Sequence, residues 1–136
     1  MPTAAARPSR QDQLDRRVLE LTMLYEVSKV LGCSLDLEHN LTGILRILNS
    51  FMGMRKGTIL LYDPFRDQLS IRVAVGMTPE EIARGTYQRG EGILGKVIQH
   101  GVPMVVPDIG AEPQFLDRTR SRGDLAAQVV AFIAVP

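Results

Sequence analysis

With one cysteine, Cys33, among 136 residues, the chain can close no internal disulfide and build no multi-thiolate zinc site. That usage points to a reducing cytoplasm. Neither sign of charge is in excess: 16 Lys plus Arg against 15 Asp plus Glu leave a net +1, with no long basic block. A stand-alone nucleic-acid binder, whose affinity rests on clustered cations, is therefore not expected. No apolar run approaches the roughly 18 to 20 residues that span a bilayer, so no membrane partner is expected. The opening MPTAAARP lacks the apolar region of a secretory signal. Residues 1–13 read as a disordered lead-in.

What is present is ordinary for a globular domain: 45% apolar and 23% charged residues, enough for one unit with a hydrophobic core. Leu14, Val18, Leu21, Tyr25 and Ser28 recur at four-three spacing, and Leu24, Val27 and Leu31 form a second stripe. The pattern predicts a helix over 14–31 with two apolar faces, capped by Gly32. One face can pack on its own domain while the other meets a partner, although two heptads are too few to establish a coiled coil. Asp36 caps a second helix whose stripe runs from Leu41 to Met52 and stops at Gly53.

The period then changes. Lys56–Tyr62 and Gln68–Val75 flank the turn residues 63–67 and predict a β-hairpin. Thr78-Pro79-Glu80-Glu81 opens a short helix with a capping box, ended near Gly85. A brief strand at Thr86–Gln88, a helix at Ile93–His100 and a strand at Pro103–Val106 follow, then a helical piece around Phe115–Arg120. The run Gln128–Val135 is apolar throughout and reads as a buried central strand. Because a domain rarely finishes on such a strand, the sequence reads as a fragment. The order of elements implies an α+β fold, a sheet covered by helices.

Gly90, Gly92 and Gly95 spell G-x-G-x-x-G, the pattern of a phosphate cradle. A dinucleotide site needs a hydrophobic strand directly before the first glycine, and Arg84–Arg89 is polar and interrupted. Gly95-Lys96 is followed by Val97 rather than Ser or Thr, and no kinase signature appears. The alternative assigns Gly90 and Gly92 to a tight turn, Gly95 to close helix-sheet packing, and Glu91 to the positive end of the helix.

The run YQRGEGILGKVIQHGVPMVVPDIGAEPQFLDRT (87–119), with LTMLYEVSKVLGCSLDLEHNL (21–41), resembles the N-terminal GAF domain of the Nif-specific regulators, the NifA family of sigma-54-dependent activators. The likeness covers roughly residues 14–136. It implies a GAF-like antiparallel sheet flanked by helices, lacking its last strand and C-terminal helix. It also implies a regulatory sensor that controls an AAA+ domain outside the chain, with DNA and sigma-54 polymerase reached only through absent domains.

GAF domains resemble one another in holding a pocket between the sheet and the elements on one side, and their ligands include cyclic nucleotides, small carboxylates, haem and bilins. For this family the resemblance implies 2-oxoglutarate as a possible effector. An anti-activator or PII-type protein is the alternative partner, and a homodimer joined through the first helix is expected. A dianion needs a fixed cation, preferably a guanidinium. The candidates are Arg118, Arg122 and Arg120, with Arg72 and Arg89, and Phe115 and Leu116 as an apolar wall. His39 and His100 lack partners at metal spacing, and no catalytic arrangement stands out, so neither a metal site nor an enzyme is expected.

Overall fold

The computed structural model describes residues 8–123 and 127–136, which divide into two compact units, one ending at Gly57 and one beginning at Thr58. The first holds helices α1 (Arg10–Cys33) and α2 (Leu37–Met52). Of the lead-in expected over 1–13, residues 1–7 lie outside the described residues, while residues 10–13 are helical. The cause is a capping box at Ser9: its hydroxyl accepts from the Asp12 amide at 3.1 Å, and the Asp12 carboxylate accepts from the Ser9 amide at 2.9 Å. At its other end α1 runs through Gly32 to Cys33, with extended Ser34 as the C-cap.

The half-buried residues of α1 are Met23, Glu26, Val27 and Val30, so the expected stripe of Leu24, Val27 and Leu31 is covered only at Val27. Val30 packs where Gly43 of α2 leaves room, since a Cβ on Gly43 would stand 2.7 Å from Val30 Cγ1. Helix α2 begins at Asp36, whose carboxylate accepts from the His39 amide at 3.0 Å, and ends at left-handed Gly53. Asp36→Ala should lower the melting stability of this unit by about 1 kcal/mol, read by thermal denaturation followed by circular dichroism.

In the second unit, β1 (Gly57–Asp63), β2 (Gln68–Val75) and β3 (Thr86–Gln88) form a sheet in the order β1-β2-β3. The turn between β1 and β2 is held by the Asp63 carboxylate, which accepts from the Phe65 amide at 2.9 Å. Strands β2 and β3 are antiparallel, with Leu69 opposite Tyr87. Helix α3 (Pro79–Arg84) starts at the expected Thr78 capping box, and α4 (Gly92–His100) ends at left-handed Gly101.

A second sheet pairs β4 (Met104–Val106) with β5 (Phe132–Ala134), Val105 opposite Ile133. Two sequence expectations fail in this region. Residues 115–120 are not helical; among the described residues the one helical turn beyond β4 is a 3-10 turn at Ile109–Ala111. The run 128–135 is not a buried central strand, since only 132–134 are paired, and Val129, Ile133 and Val135 are exposed. An apolar run without alternation cannot reveal which neighbours flank it. The core of the unit gathers Ile93, Val97, Val106, Ile109 and Ala134, with Phe115 and Phe132 packed against it.

Candidate functional site

The glycine stretch leads from β3 into α4. Gly90 and Gly92 have φ of +80° and +61°, conformations that a side chain resists. Gly95 serves a close approach: a Cβ there would stand 2.3 Å from the Gln88 carbonyl oxygen. The space over the start of α4 is filled by protein, since a Cβ on Gly92 would meet Leu116 Cδ1 at 2.8 Å. A phosphate cradle needs open amides at this point, and Leu116 covers them. The glycines form a turn and a packing contact.

Glu91, expected to serve the helix dipole, makes no side-chain cap bond. Its carboxylate instead accepts from the Gln88 amide at 2.8 Å and pairs with Arg118. Arg118 also donates to the Thr86 carbonyl at 2.6 Å and lies 5.5 Å from the Tyr87 ring centre. Arg84 of α3 grips the Thr119 carbonyl through Nε and Nη2 at 3.3 and 2.7 Å. Lys96 of α4 donates to Gln114 Oε1 at 2.6 Å. The segment 114–122 is thus tied down by side chains of α3 and α4 and by the β3 backbone, with no helix of its own.

Arg120 takes a φ of +51°, reversing the chain so that Arg122 turns inward while Arg120 itself stays exposed. The Arg122 guanidinium carbon lies 5.3 Å from the Phe115 ring centre and 5.5 Å from that of Phe132. The two rings meet edge to face at 5.5 Å. Burial pulls the Arg122 pKa down, with Asp117 and Tyr87 acting in the opposite sense. A guanidinium nevertheless keeps its proton at any physiological pH. Among the described residues Arg122 makes no ion pair, and Asp117 Oδ1 is buried without a hydrogen-bond partner. Burial also raises the pKa of Tyr87, opposed by Arg122 and Arg118, so its hydroxyl is a neutral donor and acceptor.

Around Arg122 lies a cavity of about 30 Å³, room for roughly two waters. Ile71, Met77, Ile93, Leu94, Phe115, Leu116 and Phe132 supply apolar wall, and Thr58, Tyr87, Thr119 and Arg122 supply the polar groups. A fixed cation with neutral hydroxyls in an apolar setting suits a small anion. Of the sequence candidates, Arg122, Phe115 and Leu116 line this cavity. Arg118 is engaged with Glu91 and Thr86, Arg120 and Arg72 are exposed, and exposed Arg89 lies beside Tyr62. Tyr87, Thr119, Asp117 and Phe132 belong to this region without being among the sequence candidates; of these, Tyr87 carries a sequence signal, as the inward residue of a strand between Thr86 and Gln88. Among the described residues no three His, Cys, Asp or Glu side chains gather as metal ligands, and no helix is long and apolar enough to cross a membrane.

The family profile of the GAF domain matches residues 36–136. The chain belongs to the GAF domain family. This GAF domain is 42% identical over 118 residues to the Nif-specific regulatory protein of Azospirillum lipoferum, covering 87% of this chain and 19% of that protein. It is 38% identical over 117 residues to the nitrogen fixation protein VnfA of Azotobacter vinelandii, covering 85% of this chain and 22% of that one. The chain thus spans about a fifth of the length of these relatives. Among solved structures, the GAF domain of A. aeolicus nlh2, crystallised in an inactive state, superposes with a TM-score of 0.74 at 26% identity, over 88% of this chain and 71% of that one. This GAF domain therefore resembles nitrogen-fixation regulators in sequence and shares the α+β architecture of a solved GAF domain.

Proposed function

We propose that the chain is the sensor domain of a cytoplasmic nitrogen-fixation activator, taking a small carboxylate of the 2-oxoglutarate class at Arg122 and thereby controlling an AAA+ domain that acts with sigma-54. The reading rests on one observation above the others: a half-buried guanidinium, in a cavity with neutral hydroxyls, that makes no ion pair among the described residues. Partial burial of a cation held by two aromatic rings and by no direct ion pair carries a desolvation cost that a bound carboxylate would offset. The ligand must displace Arg122 from its place beside the two phenyl rings, because a cavity for two waters is too small for it. Ligand binding therefore selects an open state, which is how a domain without catalytic groups passes a signal onward. The activator works as a homodimer in this reading.

A second reading has its own support. The same small volume favours a cavity filled by its own side chains, in a module regulated by an anti-activator or a PII-type protein. Calorimetric titration separates the two. On the sensor reading, 2-oxoglutarate gives saturable heat and cyclic GMP gives none. Absence of heat with either ligand, from a domain shown to be folded, transfers the assignment to the protein-interaction module.

A further inference from the structure

Arg84, the last residue of α3, is exposed and stands outside the wall of the Arg122 cavity, yet its side chain reaches back to hold that wall in place. Its guanidinium donates to the Thr119 carbonyl through Nε and Nη2, at 3.3 and 2.7 Å, across a separation of 35 residues. A carbonyl in an irregular segment has no ladder to join, and a charged donor is a stronger partner than a neutral one. The base from which Arg84 reaches is firm. The Ile71 amide of β2 donates to the Gly85 carbonyl at 3.1 Å, and a Cβ on Gly85 would stand 2.1 Å from Ile71 Cδ1, so the end of α3 lies tight against the sheet. On the other side of the bond the chain is under strain. Arg120 follows Thr119 with a φ of +51°, a conformation that a side chain resists. Thr119 and Ser121 on either side of it are buried and joined hydroxyl to hydroxyl at 3.1 Å. Arg84 thus clamps the residue that precedes a strained reversal, and the reversal turns Arg122 into the cavity.

A ligand larger than the cavity reaches Arg122 only if this part of the wall gives way. Thr119 and Arg122 both line the cavity, and Thr119 is held by its carbonyl from outside and by Ser121 from within. We propose that Arg84 is a positioning residue of this site: through the Thr119 carbonyl it keeps the segment closed, with Arg122 beside Phe115 and Phe132, and the ligand binds at the expense of that bond. The proposal rests on the sensor reading given above and adds the contact that restrains it. Strain at Arg120 favours release once Arg84 lets go, so the segment has two states rather than a graded response. The sign of the effect follows. Apparent affinity is the intrinsic affinity scaled by the open fraction, and removing a bond made only in the closed state raises that fraction.

Calorimetric titration of 2-oxoglutarate into the folded 136-residue chain tests it. Arg84→Met should lower Tm, because a native contact is lost, and should nevertheless tighten 2-oxoglutarate on the order of 10-fold. Arg84→Lys keeps the charge without the paired donors and should fall between Arg84→Met and the wild type. In the ligand-free protein, the Nε–Hε proton-nitrogen signal of Arg122, shifted by the ring currents of Phe115 and Phe132, should move in Arg84→Met toward its ligand-bound position. A role in folding alone would lower Tm and leave the Arg122 signal where it was. If Arg84→Met does not fold, Arg84→Lys carries the same test, with tightening expected and its absence contrary. Unchanged or weaker binding by the folded variants, beside a wild type that binds, overturns the role of Arg84 and leaves the sensor reading standing. No saturable heat from the folded wild type overturns the sensor reading, and the role of Arg84 with it.

Discussion

Gly95→Ala should destabilise the second unit by about 3 kcal/mol or more, lowering Tm by roughly 10 °C or more in a calorimetric scan. The new methyl group would stand 2.3 Å from the Gln88 carbonyl oxygen and 3.0 Å from the backbone carbon and nitrogen of Gly90. All three atoms belong to the backbone of the β3–α4 turn, so no flexible side chain can yield. The turn is fixed further by the bond from the Gly90 amide to the Gly95 carbonyl at 2.8 Å and by Glu91, held by the Gln88 amide and Arg118. Gly32→Ala is the matched control. It places the same methyl on an exposed part of α1 with nothing within 4 Å, and should stabilise that helix by about 0.5–1 kcal/mol. Equal effects of the two substitutions would refute the close approach assigned to Gly95.

Arg122→Met should abolish carboxylate binding while preserving the fold. A guanidinium that grips a carboxylate through two charge-assisted hydrogen bonds contributes about 3–6 kcal/mol, so its loss weakens affinity on the order of 100-fold or more. Methionine keeps much of the volume beside Phe115 and Phe132 and carries no charge to desolvate, so Tm should stay level or rise. Arg118→Met should behave differently. It removes the partner of Glu91 and the donor to the Thr86 carbonyl, and its main effect should fall on the anchoring of the segment 114–122. If Arg118→Met removed binding and Arg122→Met did not, the carboxylate would be held outside the cavity.

The parts of the fold legible in the sequence are those decided by nearest neighbours in the chain. Asp36, Thr78, Gly53 and Gly101 mark helix ends because each cap is a bond or a dihedral confined to one turn. The start of α1 obeys the same rule, but Asp12 rather than the commoner Glu or Gln completes the box at Ser9, and the apolar stripe that marks the helix in the sequence begins only at Leu14. The segment 115–120 went wrong for a different cause. Its charged and apolar residues suit a helix, but Arg84 and Arg118 bond it to elements more than thirty residues away, and those bonds replace the local ones. Likewise, nothing in QVVAFIAV tells that among the described residues β4 alone pairs with it, and only at 132–134.

The site was legible as a composition and not as an arrangement. The sequence offers Arg118, Arg122 and Arg120 first, with Arg72 and Arg89 behind them, and what separates the first three is tertiary: Arg118 is engaged by Glu91, Arg120 is exposed at a positive φ, and Arg122 lines the cavity. The positive φ at Arg120 that brings Arg122 inward has no sequence signature, since non-glycine residues reach that region only when their surroundings impose it. Tyr87 could have been found by strand alternation; the buried oxygen of Asp117 could not.

The most direct test of the sensor account is the arginine Nε–Hε region of a proton-nitrogen correlation spectrum, with the Arg122 signal assigned by Arg122→Met and followed during titration with 2-oxoglutarate. The account predicts that this one signal moves saturably as the guanidinium leaves the two phenyl rings for the carboxylate, with the Arg72, Arg89 and Arg120 signals unchanged. A saturable shift at those exposed arginines with Arg122 unmoved, or no shift at any arginine of the folded domain, would contradict it.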